Sequence, residues 1–237
     1  YSVSLIEPDA FTFCDGLTSV YYTGSIAQWC GIGFGALTAN PLYYAHNLYI
    51  NNNLVTDLVI PYGVTNIPPY AFCGGNFTGT LTIPNSVTTI GSRAFSNCSS
   101  FSGTLTIPNS VTTIGSSAFS RCSSFSGTLT IPNSVTTIES SAFYNCSGLI
   151  SINIPTSVTS IGSSAFTGTG WYAAHPDGNI LYLSQWCLGH KEGTIPTGSL
   201  VLRGDTRGIA DVAFVGCSEL TSVSIPNSVV AFGSDVF

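Results

Sequence analysis

The chain has 237 residues, 44% hydrophobic and only 7% charged, with a net charge of −6. Ordinary domains carry about 25% charged residues, so this surface has to be built from Ser, Thr, Asn and Gly. The acidic balance argues against a nucleic-acid partner, which needs a basic face. The five basic residues, Arg93, Arg121, Lys191, Arg203 and Arg207, form no cluster in the sequence. No apolar run approaches the ~18 residues of a membrane span.

From the N-terminus, Ser2–Phe11 (SVSLIEPDAF) already fits a pattern that recurs to the last residues, Ser228–Phe237 (SVVAFGSDVF). An irregular, aromatic-rich stretch follows over Val20–Ile60. The regular unit then appears almost letter for letter: TLTIPNSVTTIGSRAFSNCSSFS from Thr80, and close copies from Thr104 and Thr128, 24 residues apart. An Ile-Pro dipeptide marks the register at Ile60, Ile83, Ile107, Ile131, Ile154 and Ile225, with a displaced copy at Ile195. A second irregular stretch covers Gly170–Gly193, and Leu200–Phe214 returns to the frame with Leu202 in the Ile slot. Ile154 to Leu202 spans 48 residues, two periods, so a divergent unit replaces a regular one without loss of phase. A fixed period in this range is the signature of a solenoid, whose units bury their apolar side only by stacking. Solenoids need polar caps, and both ends fall inside a unit, so the chain is expected to be a piece of a longer protein.

Within a unit, Leu81 and Ile83 alternate with Thr80 and Thr82, which predicts a short strand with one buried face. Pro84 ends it, Pro-Asn-Ser suits a turn, and Val87 and Ile90 point back inward from a second short strand. The SRAF segment is too short for a stable helix and reads as a 3₁₀ turn. The expected core is Leu81, Ile83, Val87, Ile90, Ala94, Phe95 and Cys98 with their equivalents in the next two copies.

The unit, close to LxxLxIPxSVxxIGxxAFxxCxxL, resembles the BspA-like leucine-rich repeat, a surface-protein class. The resemblance covers nearly the whole chain, including the irregular parts YYTGSIAQWCGI and GWYAAHPDGNILYLSQWCLGHKEG. It implies a right-handed leucine-rich-repeat coil of short parallel β-strands with 3₁₀ turns and a period of 23–24 residues. The expected organisation is one solenoid over residues 1–237 with divergent units near 20–60 and 168–198. The resemblance further implies a bacterial cell-surface or secreted protein, some relatives being linked to adhesion, and it brings no catalytic residues.

The chemistry-bearing residues fit that picture. Cys14, Cys98, Cys122, Cys146 and Cys217 each lie three residues after the Phe of an Ala-Phe pair. In-register stacking would hold their Cβ atoms roughly 4.8 Å apart, beyond the ~3.5–4.5 Å a bridge prefers, so they are expected to be free buried thiols. Cys30, Cys73 and Cys187 break the register, and their pairing stays open. His46, His175 and His190 have no i, i+4 partner, so no metal site is expected. Asp177, Glu192, Asp205 and Asp211 are only loosely grouped, Asp177-Gly178 reads as a turn, and G-x-S-x-G is absent, so neither enzyme activity nor a cofactor is expected. The Thr-x-Thr pairs read as an uncharged outer strand face.

The two irregular stretches hold all three tryptophans, at Trp29, Trp171 and Trp186, and most of the tyrosines. Exposed Tyr and Trp anchor partners well, although aromatic bulk would also refill a core that lacks Leu and Ile. The candidate binding residues are Tyr22, Tyr43, Tyr44, His46, Tyr49, Trp171, Tyr172 and His175. The expected partner is an extracellular protein, glycoprotein or glycan, bound by a monomer. The alternative is a passive spacer that projects another domain from the cell.

Overall fold

The computed structural model describes residues 3–175, 180–191 and 193–237. Its backbone is a parallel β-coil. The most continuous sheet is formed by five two-residue strands, Asn66–Ile67, Thr89–Ile90, Thr113–Ile114, Thr137–Ile138 and Ser160–Ile161, all parallel and in register. The strand expected at Leu81–Ile83 is shorter and less regular. Leu81–Thr82 pairs with Leu58–Val59, and Gly127–Thr130 pairs with Leu149–Asn153. Between the two lies the expected turn, with the Val87 N–H donating to the Pro84 carbonyl at 3.1 Å.

The Ala-Phe segment holds half of the expected 3₁₀ pattern. Ala94, Ser96 and Cys98 donate back to Gly91, Arg93 and Phe95, three residues earlier. The intervening N–H groups of Arg93, Phe95 and Asn97 point out of the coil, to the carbonyls of Ser116, Ala118 and Ser120 at 2.8 Å each. Left-handed backbone at Arg93 (φ 56) and Asn97 (φ 61) makes this alternation. The same two slots are left-handed at Ser117 and Arg121, and at Ser141 and Asn145. All donors on this edge therefore face the next coil, and all acceptors face the previous one.

Inside, side chains stack on their own copies. Phe95, Phe119, Phe143 and Phe166 lie nearly parallel at centroid distances of 5.2, 5.6 and 5.6 Å. Phe77, Phe101 and Phe125 form a second column. Every residue of the expected core in the three regular copies is buried. Outside, Thr80, Thr82, Thr104, Thr106, Thr128 and Thr130 are exposed, as the alternation predicts. One core runs from Trp29 to Trp186 and takes in Ala210, and a smaller one gathers residues between Cys187 and Val236, so the column of stacked residues divides near the second irregular unit. The expected Asp177-Gly178 turn and Glu192 lie outside the described residues. No described helix is long and apolar enough to cross a membrane.

Candidate binding groove

The first irregular unit is built to sit on the coil that follows it. Helix α1, Ile26–Trp29, starts with a capping box in which Ser25 and Gln28 satisfy each other's backbone N–H. This fixes Trp29, which is buried and donates from Nε1 to the Ala71 carbonyl at 2.7 Å. Buried Asn40 donates to the Tyr70 and Ala71 carbonyls at 2.7 and 3.2 Å and accepts from the Leu42 N–H. Helix α2, Leu42–Ala45, ends at His46, which is left-handed (φ 62) and donates from Nδ1 to the Gly74 carbonyl at 2.8 Å. In the regular coils the carbonyls of the Ala-Phe segment are met by backbone donors of the coil before. Here the Trp29 and Asn40 side chains meet the equivalent Ala71 carbonyl, and the Asn40 and His46 side chains add the Tyr70 and Gly74 carbonyls. Sequence reasoning missed Asn40, because a lone Asn in a loop carries no periodic signal.

This seating brings Tyr43, Tyr44 and His46 together. The two tyrosine rings meet edge to face at 5.2 Å and, with His46, line a depression of about 1080 Å³. Tyr22 and Tyr49 do not join them. Tyr22 is half-buried with its ring edge on Trp29 at 5.3 Å, and Tyr49 stacks on exposed Tyr21 at 4.6 Å, on the Ser19–Tyr22 and Asn47–Ile50 strands. In the second irregular unit, Thr169 caps helix α3, Gly170–Ala174, by accepting from the Tyr172 N–H. Trp171 is only 9% exposed, and the His175 ring lies 4.4 Å from its own. Its expected role as an exposed anchor is therefore corrected: Trp171 fills core, as Trp29 and Trp186 do. Tyr172 and His175 are half-buried, and the Lys191 ammonium lies 5.5 Å from the centre of the Tyr172 ring.

The regular coils link the two units along one face. A second depression, about 370 Å³, shares Tyr43 and Asn97 with the first and is lined by Arg93, Arg121 and Tyr144. A third, about 330 Å³, shares Tyr144 and Ser164 with the second and reaches Tyr172 and His190. The track follows the left-handed slots, which turn Arg93 and Arg121 outward. Though scattered in sequence, the two arginines line one depression. The signal that could have found them is their place in the two slots that flank the Ala-Phe pair in successive coils.

Most of the remaining candidates are buried or hydrogen-bonded. All eight cysteines are free. The thiols of Cys98, Cys122 and Cys146 donate to the carbonyls of Phe72, Phe95 and Phe119, at 3.0 Å each. Burial holds the Cys98 and Cys122 thiols well above their ordinary range and pushes Cys30, Cys73 and Cys146 up to about 12, so none is a ready nucleophile. Asp205 is held below the usual carboxylate range by its hydrogen bonds from Arg203. Asp211 accepts from the Ser234 N–H at 2.8 Å. Among the described residues, no three His, Cys, Asp or Glu are placed to hold a metal ion.

The sequence profile of the BspA type leucine rich repeat region matches residues 45–187 and 192–237, in six copies. A leucine-rich repeat protein from Bacteroides ovatus is similar in structure, with a TM-score of 0.55 and 21% identity over all of this chain. The chain spans 56% of that protein's length. A leucine rich cell surface protein from Faecalibacterium prausnitzii aligns with 77% of this chain and 66% of its own, at 25% identity and a TM-score of 0.41. No curated protein matches the chain.

Proposed function

We propose, from the premise that the chain belongs to the BspA-type leucine-rich repeat family, that it is a non-enzymatic binding module of a bacterial surface or secreted protein. Its partner is an extracellular protein or glycoprotein. The observation that carries this reading is the run of three depressions joined by Tyr43, Asn97, Tyr144 and Ser164, with tyrosines at both ends and Arg93 and Arg121 between them. Tyr and Arg are the side chains that concentrate binding energy at protein interfaces. The outer strand face offers Thr and almost no charge, which gives a partner few anchors. The site therefore comprises Tyr43, Tyr44 and His46 from the first unit and Tyr172 from the second, with Arg93 and Arg121 added, while His175, packed on the Trp171 ring, lines none of the three depressions. Tyr22, Tyr49 and Trp171 serve packing.

The test is surface plasmon resonance against a panel of purified extracellular matrix glycoproteins. Tyr44→Ala and Arg93→Ala/Arg121→Ala should each weaken binding about tenfold or more, the loss of a hot-spot contact. Thr82→Ala/Thr106→Ala should not. Loss of binding in the threonine variants alone would move the site to the strand face. A chain that binds no member of the panel would favour the spacer.

A further inference from the structure

Between Leu58 and Ile138 the chain carries only two charged side chains, Arg93 and Arg121. Both occupy the left-handed slots that flank the Ala-Phe pair, at φ 56 and 62. Neighbouring coils fill the same slots with uncharged residues, Ser117 and Ser141 in the first, Asn97 and Asn145 in the second. Asn is among the residues that accept this backbone most readily, so the fold does not call for arginine at either position. Both arginines are exposed, and both line the depression of about 370 Å³.

Neither guanidinium is used inside the molecule. Among the described residues, neither has an ion-pair or side-chain hydrogen-bond partner. The two carboxylates that bound this stretch are engaged elsewhere. Asp57 accepts from the Thr80 N–H and Glu139 from the Ser116 N–H, at 2.7 Å each, and neither lines the depression. Two cations on one concave wall with no counter-charge raise the local potential and favour an anion there, even on a chain whose net charge is −6.

The rest of the lining selects the body that carries the anion. Serines and Asn97 supply most of it, Tyr43 and Tyr144 stand where it joins the two neighbouring depressions, and Leu37 and Cys73 are its apolar members. A peptide anchor needs a desolvated apolar pocket, which this wall does not offer. A sugar needs hydroxyl and amide partners for its own hydroxyls and an amphipathic ring beside its C–H face. Arginine matches a planar or tetrahedral oxyanion with parallel N–H bonds, and the volume is that of a small ligand site. We infer that Arg93 and Arg121 bind the anionic group of an acidic saccharide, a sialic acid carboxylate or a sulfate ester. The neutral part of that saccharide lies over Tyr43 toward the first irregular unit. This rests on the groove reading above and narrows its partner to the acidic glycan of a glycoprotein.

Heteronuclear NMR titration of the whole chain tests it, with 3′-sialyllactose and 3′-sulfolactose as probes and lactose as their neutral twin. At least one acidic probe should shift the Arg93 and Arg121 Nε–H signals saturably and bind about tenfold or more tightly than lactose, the value of one hydrogen bond to a charged group. The tighter of the two assigns the carboxylate or the sulfate ester. Arg93→Ser/Arg121→Asn installs the residues that neighbouring coils hold in these slots, so it should keep the denaturation midpoint and bind the acidic probes no better than lactose. Should it fail to fold, the comparison with lactose on the unaltered chain decides. Equal binding of acidic and neutral probes, no binding, acidic binding that persists in the folded double variant, or inorganic sulfate bound as tightly as 3′-sulfolactose would each overturn the proposal. An Asp- and Glu-rich hexapeptide that binds more tightly than either saccharide would overturn it too, and would assign the arginines to an acidic protein surface. The two readings fail separately. A panel glycoprotein that still binds after its sialic acid and sulfate are removed leaves the groove standing and sinks only the acidic glycan, whereas a panel without any binding sinks the groove itself.

Discussion

The regular coils and the two irregular units solve one problem with different chemistry. Each coil must satisfy the acceptor edge of the next and cover its apolar column. Regular coils do both with copies of themselves: backbone donors meet backbone acceptors, and Phe119 lies between Phe95 and Phe143 at 5.2 and 5.6 Å. The first irregular unit uses side chains instead, with Trp29, Asn40 and His46 donating to the Tyr70, Ala71 and Gly74 carbonyls. The second covers the apolar column with Trp171 and Trp186 but gives the Ser164, Phe166 and Gly168 N–H groups no acceptor among the described residues. Repetition gives a continuous stack that carries little information. Irregularity gives shaped surface, bought with buried polar groups placed one at a time.

The largest expected effect separates the regions by their thiols. Folded Cys30, Cys73 and Cys146 are pushed up to about 12 by burial, and Cys98 and Cys122 well above their ordinary range. The unfolded chain ionises the same thiols near their ordinary pKa of ~8.5. Above that pH the unfolded state binds fewer protons than the folded state, so stability falls as pH rises. Below it the effect vanishes. Each thiol should withdraw up to about 1.4 kcal/mol per pH unit until it ionises in the folded state too. Urea denaturation across this range should show a steep alkaline loss. It should be markedly shallower in Cys98→Ala/Cys122→Ala/Cys146→Ala, which removes the regular coils' share. An unchanged alkaline slope in that variant would show that the regular thiols are not the source.

Next in size, Phe119→Ala should cost about 3–5 kcal/mol in chemical denaturation, the usual range for a buried Phe. A loss below ~1 kcal/mol would mean that neighbouring coils close the gap, which close-packed columns resist. Trp29→Phe should then cost more than Trp186→Phe. Both lose bulk, but only the first strips a buried Nε1–H from a backbone carbonyl, which keeps its bond from Asn40, so the added loss is that of one hydrogen bond, about 0.5–1.5 kcal/mol. Equal losses would show that the first unit is seated by packing alone. The smallest effect tests the left-handed slots. Val212 holds φ 52 in a slot that regular coils fill with Arg or Ser. A β-branched residue is strained there, and Val212→Asn should stabilise the chain by about 1 kcal/mol, read as a rise in the denaturation midpoint. A lower midpoint would show that packing of the Val212 methyls outweighs the strain.

How much of this was legible in the sequence follows from the same contrast. Leu81, Phe95 and Cys98 were assigned to the interior from three identical copies, and each is buried, because a period restates the same environment at every turn. The placing of the sheet was less legible. Thr89–Ile90 rather than Leu81–Ile83 carries the continuous ladder, since a two-residue strand has too little alternation to read. At the candidate site, Tyr43, Tyr44 and His46 come together, Tyr22 and Tyr49 do not join them, and Trp171 does not reach the surface. Aromatic content alone does not say which rings fill core and which face water.

The sequence by itself determined the period, the register and the identity of the buried columns, because each unit can bury its apolar residues only against its own copies. Tertiary structure alone decided where the outward donors go. It set which carbonyls Trp29 and Asn40 meet, that Arg93 and Arg121 line one depression, and that Ser164 and Phe166 line another. Those outcomes depend on how neighbouring coils align in space. A residue's donors and acceptors are the same letters whether the neighbouring coil meets them or leaves them open.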